Sequence, residues 1–446
     1  MAIKHFILYA ALTLPATSIA GVLTLQDAYQ KALQYDATIG AARAENKAQK
    51  QEIDKAFAAF LPQARFTAYK GKGSTDSETP GQTGSISRHS TYDSENFNLS
   101  IRQSIFNKAA YAEYKQAKAS VERSDSTLQK EMLSLISRVS GAYLDALLST
   151  ENIRYSQSQK TSVQSQLDQA TKRYKAGIGT ITEISESQAN LDDVSAKSLE
   201  WVSNLEYAKQ ALMNLTGVYP DSLLALDAAH LPLNIPQPES VDAWINLALE
   251  KNQDVQAAQQ DIKYVTQEIE KSSAGHYPTL DLIASRADTT SDNNYTIGSS
   301  YKTDSIGLQL SIPIYSGGYV NATVRQSVAK LEMANEKLVE RQRAVSADIR
   351  KYFNALSNGI AKVLAYEQSV KSNETAVIGT QKGFAAGIRT NVEVLNAQEK
   401  LFAAKRDLAR ERYQLIFNRI MLKQTAGLLT DADIQEVSAW LSLAVL

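Results

Sequence analysis

The chain has 446 residues, 43% of them hydrophobic, with 47 basic residues set against 48 acidic ones. A near-neutral balance gives the protein no electrostatic reason to seek nucleic acid or acidic polymers. Cysteine is absent, which excludes a disulfide scaffold and an acylated cysteine at a processed N-terminus.

Residues 1–20 place Lys4 ahead of an apolar stretch from Phe6 to Leu14, then Pro15 and the small-residue run ATSIA. That is the layout of a secretory signal, with Ser18 and Ala20 where a signal peptidase reads, and it predicts a mature chain starting near Gly21. Beyond it no apolar run approaches the ~20 residues that a membrane helix needs. A bilayer span in this chain therefore has to be made of strands.

Residues 21–217 form the first of two predicted repeats. After an opening helical stretch, QARFTAY at 63–69 and FNLSIRQSI at 97–105 alternate apolar and polar residues, as strands with two unlike faces do. The segment between them is rich in Ser, Thr, Gly, Asp and Asn and is predicted as a long polar loop. Proline is then absent between Pro80 and Pro220, and helix interiors tolerate proline badly. Within this span apolar residues recur in steps of three and four at Leu128, Met132, Leu135 and Val139, and again at Val163, Leu167, Ala170 and Tyr174. Such narrow seams belong to coiled-coil helices. A helix from about Asn107 to Tyr174 is roughly 100 Å long at 1.5 Å per residue, too long for a compact ball. It ends in RYKAGIGTITEISESQ, residues 173–188. There Gly177 suits a helix terminus with positive φ, and Thr180 followed three residues later by Glu183 suits the cap of a returning helix.

Residues 218–240 make a linker with four prolines, and residues 241–427 repeat the first pattern. QEIEK at 267–271 answers QEIDK at 51–55, Pro278 answers Pro62, and KYFNAL at 351–356 answers AYLDAL at 142–147. Strands are predicted at TLDLIAS (279–285) and IGLQLSIPI (306–314). A second long helix carries the seam Val345, Ile349, Tyr352, Leu356, Val363, Val370, Val377 and Phe384. GFAAGIRTNVEVLNAQ at 383–398 then writes the hairpin again with Gly387, Thr390 and Glu393, and residues 428–446 form a C-terminal segment. The fold class predicted is mainly α with a small β part: a tandem-repeat protomer of long coiled-coil helices plus four transmembrane strands. Four strands cannot close a barrel, because the smallest transmembrane barrels need ~8 and open edges leave backbone groups unpaired in lipid. The chain is expected to assemble with copies of itself.

The signal sequence, the tandem halves, the strand-loop-strand insertions, LSIPIYSGGYVNATVRQS at 310–327 and AAGIRTNVEVLNAQ at 385–398 resemble the TolC family of outer-membrane efflux and secretion ducts. The resemblance spans essentially the whole mature chain. It implies a homotrimer, with a twelve-strand β-barrel in the lipid of the outer membrane and a twelve-helix α-barrel across the periplasm. It implies passive exit of substrates in type I protein secretion or small-molecule efflux, with a periplasmic adaptor and an inner-membrane ABC or proton-driven pump as partners. The hairpins would form an inner mouth, closed at rest, with gate positions at Phe384, Arg389, Glu393 and Asn396 in the second hairpin and Gln166, Thr182 and Glu183 in the first. Adaptor contact is implied around the turns at Gly177 and Gly387. Two positions depart from the family pattern, since Phe384 lacks the aromatic hydroxyl and Asn396 lacks the charge. What remains is Arg389 paired with Thr182 or Glu183, and Glu393 as the one acidic ring, which implies a weaker hold on multivalent cations. The missing lipidation cysteine leans towards type I secretion.

No enzymatic chemistry, cofactor or metal is expected. His5, His89, His230 and His276 are scattered without metal-ligand spacing. The glycine clusters at 70–74 and 177–179 lack the placed lysine and following helix of a phosphate loop, and Asp192 with Asp193 reads as solvated helix surface. The competing class is a non-channel periplasmic coiled coil, structural or adaptor-like. An adaptor would carry a lipoyl-like β-domain interrupting one helical hairpin rather than a duplicated helical chain.

Overall fold

The computed structural model describes residues 22–81, 84–291 and 296–445, and the predicted signal at 1–20 lies outside them. The chain divides into two compact units, each drawing segments from both sequence repeats.

The first unit takes in the described part of Met1–Gly40 with Glu131–Ala248 and Ala347–Leu446. It opens with α1 (Leu25–Tyr35), capped by Thr24, whose hydroxyl accepts the Asp27 N–H at 3.0 Å. Asp36 closes that helix from a buried position. It accepts two guanidinium hydrogen bonds from Arg138, at 2.9 and 3.1 Å, and the Ile39 N–H at 2.9 Å. Burial pushes this carboxyl up, but Arg138 and the backbone donors together outweigh it and hold it below the ordinary carboxylate range.

The C-terminal parts of α3 (Lys108–Lys175) and α7 (Tyr319–Ala385) belong to this unit, with α4 (Ile181–Thr216), most of α5 (Val241–Lys251), α8 (Asn391–Thr425) and α9 (Asp431–Ala439). Seam residues Leu135, Val139, Val163 and Ala170 of α3, and Ile349, Leu356, Val363 and Phe384 of α7, are buried, as heptad steps require. Tyr174 departs from its seam and is 48% exposed, because it stands in the last turn of α3 where the chain is leaving the helix.

The proline-rich linker is not a free tether. It holds β3 (Leu224–Leu226), which pairs antiparallel with β6 (Leu441–Val445) in the C-terminal segment. The Tyr143 hydroxyl donates to the Leu23 carbonyl at 2.9 Å and accepts the Leu224 N–H at 3.1 Å. Burial pushes this phenol well up, so it stays neutral while serving both partners. Segments far apart in sequence are thus tied at one place.

The second unit, Ala41–Lys130 with Leu249–Ser346, holds most of α2 (Ala37–Phe57), α6 (Gln253–Ser273) and the N-terminal parts of α3 and α7. Its sheet is antiparallel throughout, in the order β1-β2-β4-β5. The strands are β1 (Gln63–Gly81), β2 (Gly84–Phe106), β4 (Thr279–Thr290) and β5 (Ser300–Ser311). Ion pairs of 2.8 Å, Arg123 to Asp261 and Lys130 to Asp254, join α3 to α6.

In the first repeat the polar stretch is strand, not the long loop that its composition predicts. The β1–β2 ladder runs unbroken from Gln63↔Arg102 to Gly81↔Gly84, so the strands reach 19 and 23 residues. Local polarity predicts a loop because water is assumed to be the backbone's partner. Here each strand satisfies the other's backbone groups, and Lys70 to Glu95 at 2.6 Å pairs opposite charges across a rung. In the second repeat β5 stops at Ser311, ahead of Pro313, since proline cannot donate to a ladder. Gly317 and Gly318, at φ of 61° and 82°, then turn the chain into α7.

Candidate functional site

Two features of the fold can carry function: the hairpin ends of the first unit and the sheet of the second. Both hairpins close with the same backbone device. The Ile178 and Gly179 N–H groups donate to the Arg173 carbonyl at 3.1 Å, and those of Ile388 and Arg389 donate to the Gly383 carbonyl at 2.8 and 3.2 Å. Gly177 and Gly387 sit at φ of 76° and 74°, a backbone conformation that a side chain would strain. Thr180 and Thr390 cap the returning helices, accepting the Glu183 N–H at 3.2 Å and the Glu393 N–H at 3.3 Å.

Only the second turn forms the full capping box. Glu393 accepts the Thr390 N–H at 2.7 Å and also a guanidinium hydrogen bond from Arg389. The Thr390 backbone first, and Arg389 after it, hold the Glu393 carboxyl below the usual carboxylate range. A folded value below the unfolded one means that the contribution is complete above the ordinary pKa and is lost as pH falls through the depressed one. Amide exchange over residues 383–393, corrected for its intrinsic pH dependence, is therefore expected to hold steady from neutral pH to about pH 5 and to accelerate only in stronger acid. Glu393→Gln should lack that acid step, and a step at the same pH in this variant would assign it to another group.

Close to the turns the two hairpins meet through a hydrogen-bonded amide, a small apolar cluster and one stacked cation. The Asn391 side-chain amide donates to the Ser187 hydroxyl at 2.9 Å and to the Glu183 carbonyl at 3.4 Å. Leu395 joins Val163, Leu191 and Val194 in a small buried cluster edged by Leu167. The Arg173 guanidinium lies over the Phe384 ring, 4.8 Å from its centroid. Of the residues marked in the sequence, Gln166 and Phe384 are buried, Glu183 and Glu393 are half-buried, and Thr182, Arg389 and Asn396 are exposed along with Gly177 and Gly387. Within the protomer Arg389 does not pair with Thr182 or Glu183. It pairs with Glu393 across the cap: Arg389 stands in the turn just ahead of Thr390, and Glu393 lies in the first turn of α8. Several buried polar atoms here have no hydrogen-bond partner, among them Gln166 Oε1, Arg173 Nε, Glu183 Oε2, Asn391 Oδ1 and Gln398 Oε1.

The sheet has two unlike faces. Cross-strand register aligns Ala64 with Ile101, Ala284 and Ile306, and Phe66 with Leu99. Leu282 with Leu308 and Leu280 with Leu310 complete the same face. It is apolar yet bare, with Phe66 65%, Ile306 77% and Leu308 68% exposed. Towards the hairpin tips the apolar band gives way to charge pairs, Arg286 with Asp304 and Lys302 with Asp288. The opposite face is mainly polar and carries Arg102 bonded to Asp281, and Ser285 bonded to Ser305 at 2.8 Å. Among the described residues the outer edges of β1 and β5 have no partner strand, and no helix is long and apolar enough to cross a membrane.

The described histidines are tied to neighbours, His89 to Asp76, His230 to Asp227 at 2.8 Å and His276 to Asn321 at 3.0 Å. No cluster of three or more metal-ligating side chains occurs among the described residues.

The profile of a family described as outer membrane efflux protein matches residues 28–218 and 244–428, one segment in each repeat. The chain belongs to that family. It is 31% identical to the proteases secretion protein PrtF of Dickeya chrysanthemi, over 99% of this chain and 96% of the relative. It is 31% identical to the alkaline protease secretion protein AprF of Pseudomonas aeruginosa, over 97% of this chain and 90% of that one. The outer membrane protein TolC of Escherichia coli is 30% identical over 96% of this chain and 87% of its own length. Among solved structures, CusC superposes with a TM-score of 0.79 at 15% identity, covering 91% of this chain and 92% of its own. VceC of Vibrio cholerae superposes at 0.75 with 20% identity, covering 90% and 96%. These solved structures share the fold of this chain, and the family it belongs to is one of outer-membrane transport channels.

Proposed function

We propose that this outer-membrane export channel works as a homotrimer in type I protein secretion. The sheet carries the reading, with one bare apolar face and two unpaired edges. In lipid, each unpaired backbone group on β1 and β5 would cost several kcal/mol. Joining β5 of one copy to β1 of the next, three times over, pairs every edge and gives a strand number that transmembrane barrels use. The apolar face then meets lipid and the polar face lines the pore. A soluble coiled coil has no use for such a face, so the structural or adaptor-like alternative is disfavoured.

The helical hairpins form the periplasmic mouth in this reading. Gln166, Thr182, Glu183, Phe384, Arg389, Glu393 and Asn396 line its gate, and the turns at Gly177 and Gly387 receive a periplasmic adaptor. Passage is passive, and energy comes from an inner-membrane pump joined through that adaptor, as in the tripartite machines of TolC-like channels. Protein cargo is favoured by two relatives that are protease secretion proteins.

The test is to delete the gene, restore it, and compare the secreted proteins and drug sensitivity of the host. Loss of one large secreted protein, without drug sensitivity, is the expected result. Broad sensitivity to drugs and detergents with secretion intact would replace protein cargo by small-molecule efflux.

A further inference from the structure

The two hairpin turns carry the same pair of residues in opposite order. At an offset of 210, Arg173 corresponds to Gly383 and Gly179 corresponds to Arg389. At these two positions each turn therefore holds one arginine and one glycine, on opposite sides of the reversal. The glycine makes room for the arginine stem: a Cβ on Gly179 would come within 2.9 Å of Arg173 Cβ, and one on Gly383 within 2.6 Å of Arg389 Cγ. The exchange sends the two guanidiniums different ways. Arg389 is 54% exposed and bonds to Glu393 of its own hairpin. Arg173 is 30% exposed and reaches the other hairpin, where its cation covers the ring of Phe384, itself 6% exposed.

Arg173 also has a second, looser partner in its own hairpin, a long ion pair with Glu183 that falls short of a hydrogen bond. Its Nε and the Glu183 Oε2 are both buried without a hydrogen-bond partner and stand 3.9 Å apart. That is about 1 Å beyond the length of a charge-assisted hydrogen bond.

We infer that Arg173 is the latch between the two hairpins of a protomer, its guanidinium stacked on Phe384 while they are together and taken up by Glu183 when they part. Phe384 has no hydroxyl with which to hold the first hairpin, so the ring face is its means of grip on the arginine. As the ring withdraws, Glu183 replaces the lost contact, and the parted state is not left with a stranded cation. The inference rests on the export-channel reading, in which these hairpins form the mouth.

The absence of cysteine permits a direct test. Spin labels on Ile178→Cys and Ile388→Cys, both exposed turn positions, report the distance between hairpin tips when labelled protomers are diluted with unlabelled ones. Arg173→Gln and Phe384→Leu are each expected to shift the population towards the longer distance by about two- to thirtyfold, the range of a cation–π contact. The double variant should shift it no further than either single change. Phe384→Trp, a better face for a cation, should shift it back, and Glu183→Gln should disfavour the longer distance. Independent, multiplying effects of the first two changes, or indifference to Phe384→Trp in a normally assembled protein, would overturn the latch. Conductance of the same preparations in planar bilayers separates the two readings: absence of any pore defeats the channel, while the distances still judge the latch.

Discussion

Leu308→Arg should abolish the membrane-inserted form of this protein, whereas Gln309→Arg, one residue along the same strand, should leave it intact. Leu308 is 68% exposed on β5, opposite Leu282 on the apolar face. An arginine on the lipid face near mid-bilayer costs about 2–4 kcal/mol. In the proposed trimer it is met three times, so the assembly loses about 6–12 kcal/mol, as much as the whole stability of a typical domain. Gln309 lies opposite Asp281 on the other face, where an added guanidinium meets water and polar neighbours. The check is gel migration of outer-membrane fractions with and without heating, together with an assay for protein left in the periplasm. A Leu308→Arg protein that still migrates as a heat-sensitive oligomer would mean that this face does not meet lipid, and the barrel would go with it.

What is legible in the sequence is what local chemistry decides. The hairpin turns follow from Gly177 with Thr180 and from Gly387 with Thr390, because positive φ and N-capping are set within a few residues. The strand cores follow from alternation at Phe97–Ile105 and Ile306–Leu310. The extent of β1 and β2 does not follow, since a run such as that from Lys70 to Gly81 shows no apolar alternation and is held by its partner strand alone. The pairing of β3 with β6 is hidden for the same reason. At the second hairpin turn, Arg389 has an acidic neighbour four residues on, and within the chain that local contact prevails over any reach to Thr182 or Glu183. Arg173 carries no local mark of its role, because Phe384 is 211 residues away. The swapped glycine and arginine of the two repeats are the signal that could have found it.

Bridging Ser187→Cys to Asn391→Cys should stop export, and a reducing agent should restore it. The Asn391 amide donates to the Ser187 hydroxyl at 2.9 Å across the two hairpins, and both residues are buried in the protomer. The natural chain has no other thiol, so a short bifunctional methanethiosulfonate joins these two positions alone. Before bridging, the double variant loses the hydrogen bonds of the Asn391 amide to the Ser187 hydroxyl and the Glu183 carbonyl, and that of the Ser187 hydroxyl to the same carbonyl, each worth about 1 kcal/mol. It also removes the unpaired Asn391 Oδ1, which offsets part of that loss, and the unbridged double variant is the reference against which the bridged protein is read. Once bridged, the hairpins of a protomer cannot separate, whatever an adaptor does to them from outside. If the mouth opens by parting them, secretion falls to the level of a deletion strain and bilayer conductance stays at its lowest state until thiol is added. If bridged channels export normally, each pair of hairpins moves as one body and opening runs between copies of the chain. In that event exposed Arg389, with its carboxylate partner Glu393, becomes the group to pursue, because at 54% exposure it is free to exchange that partner for one on a neighbouring copy.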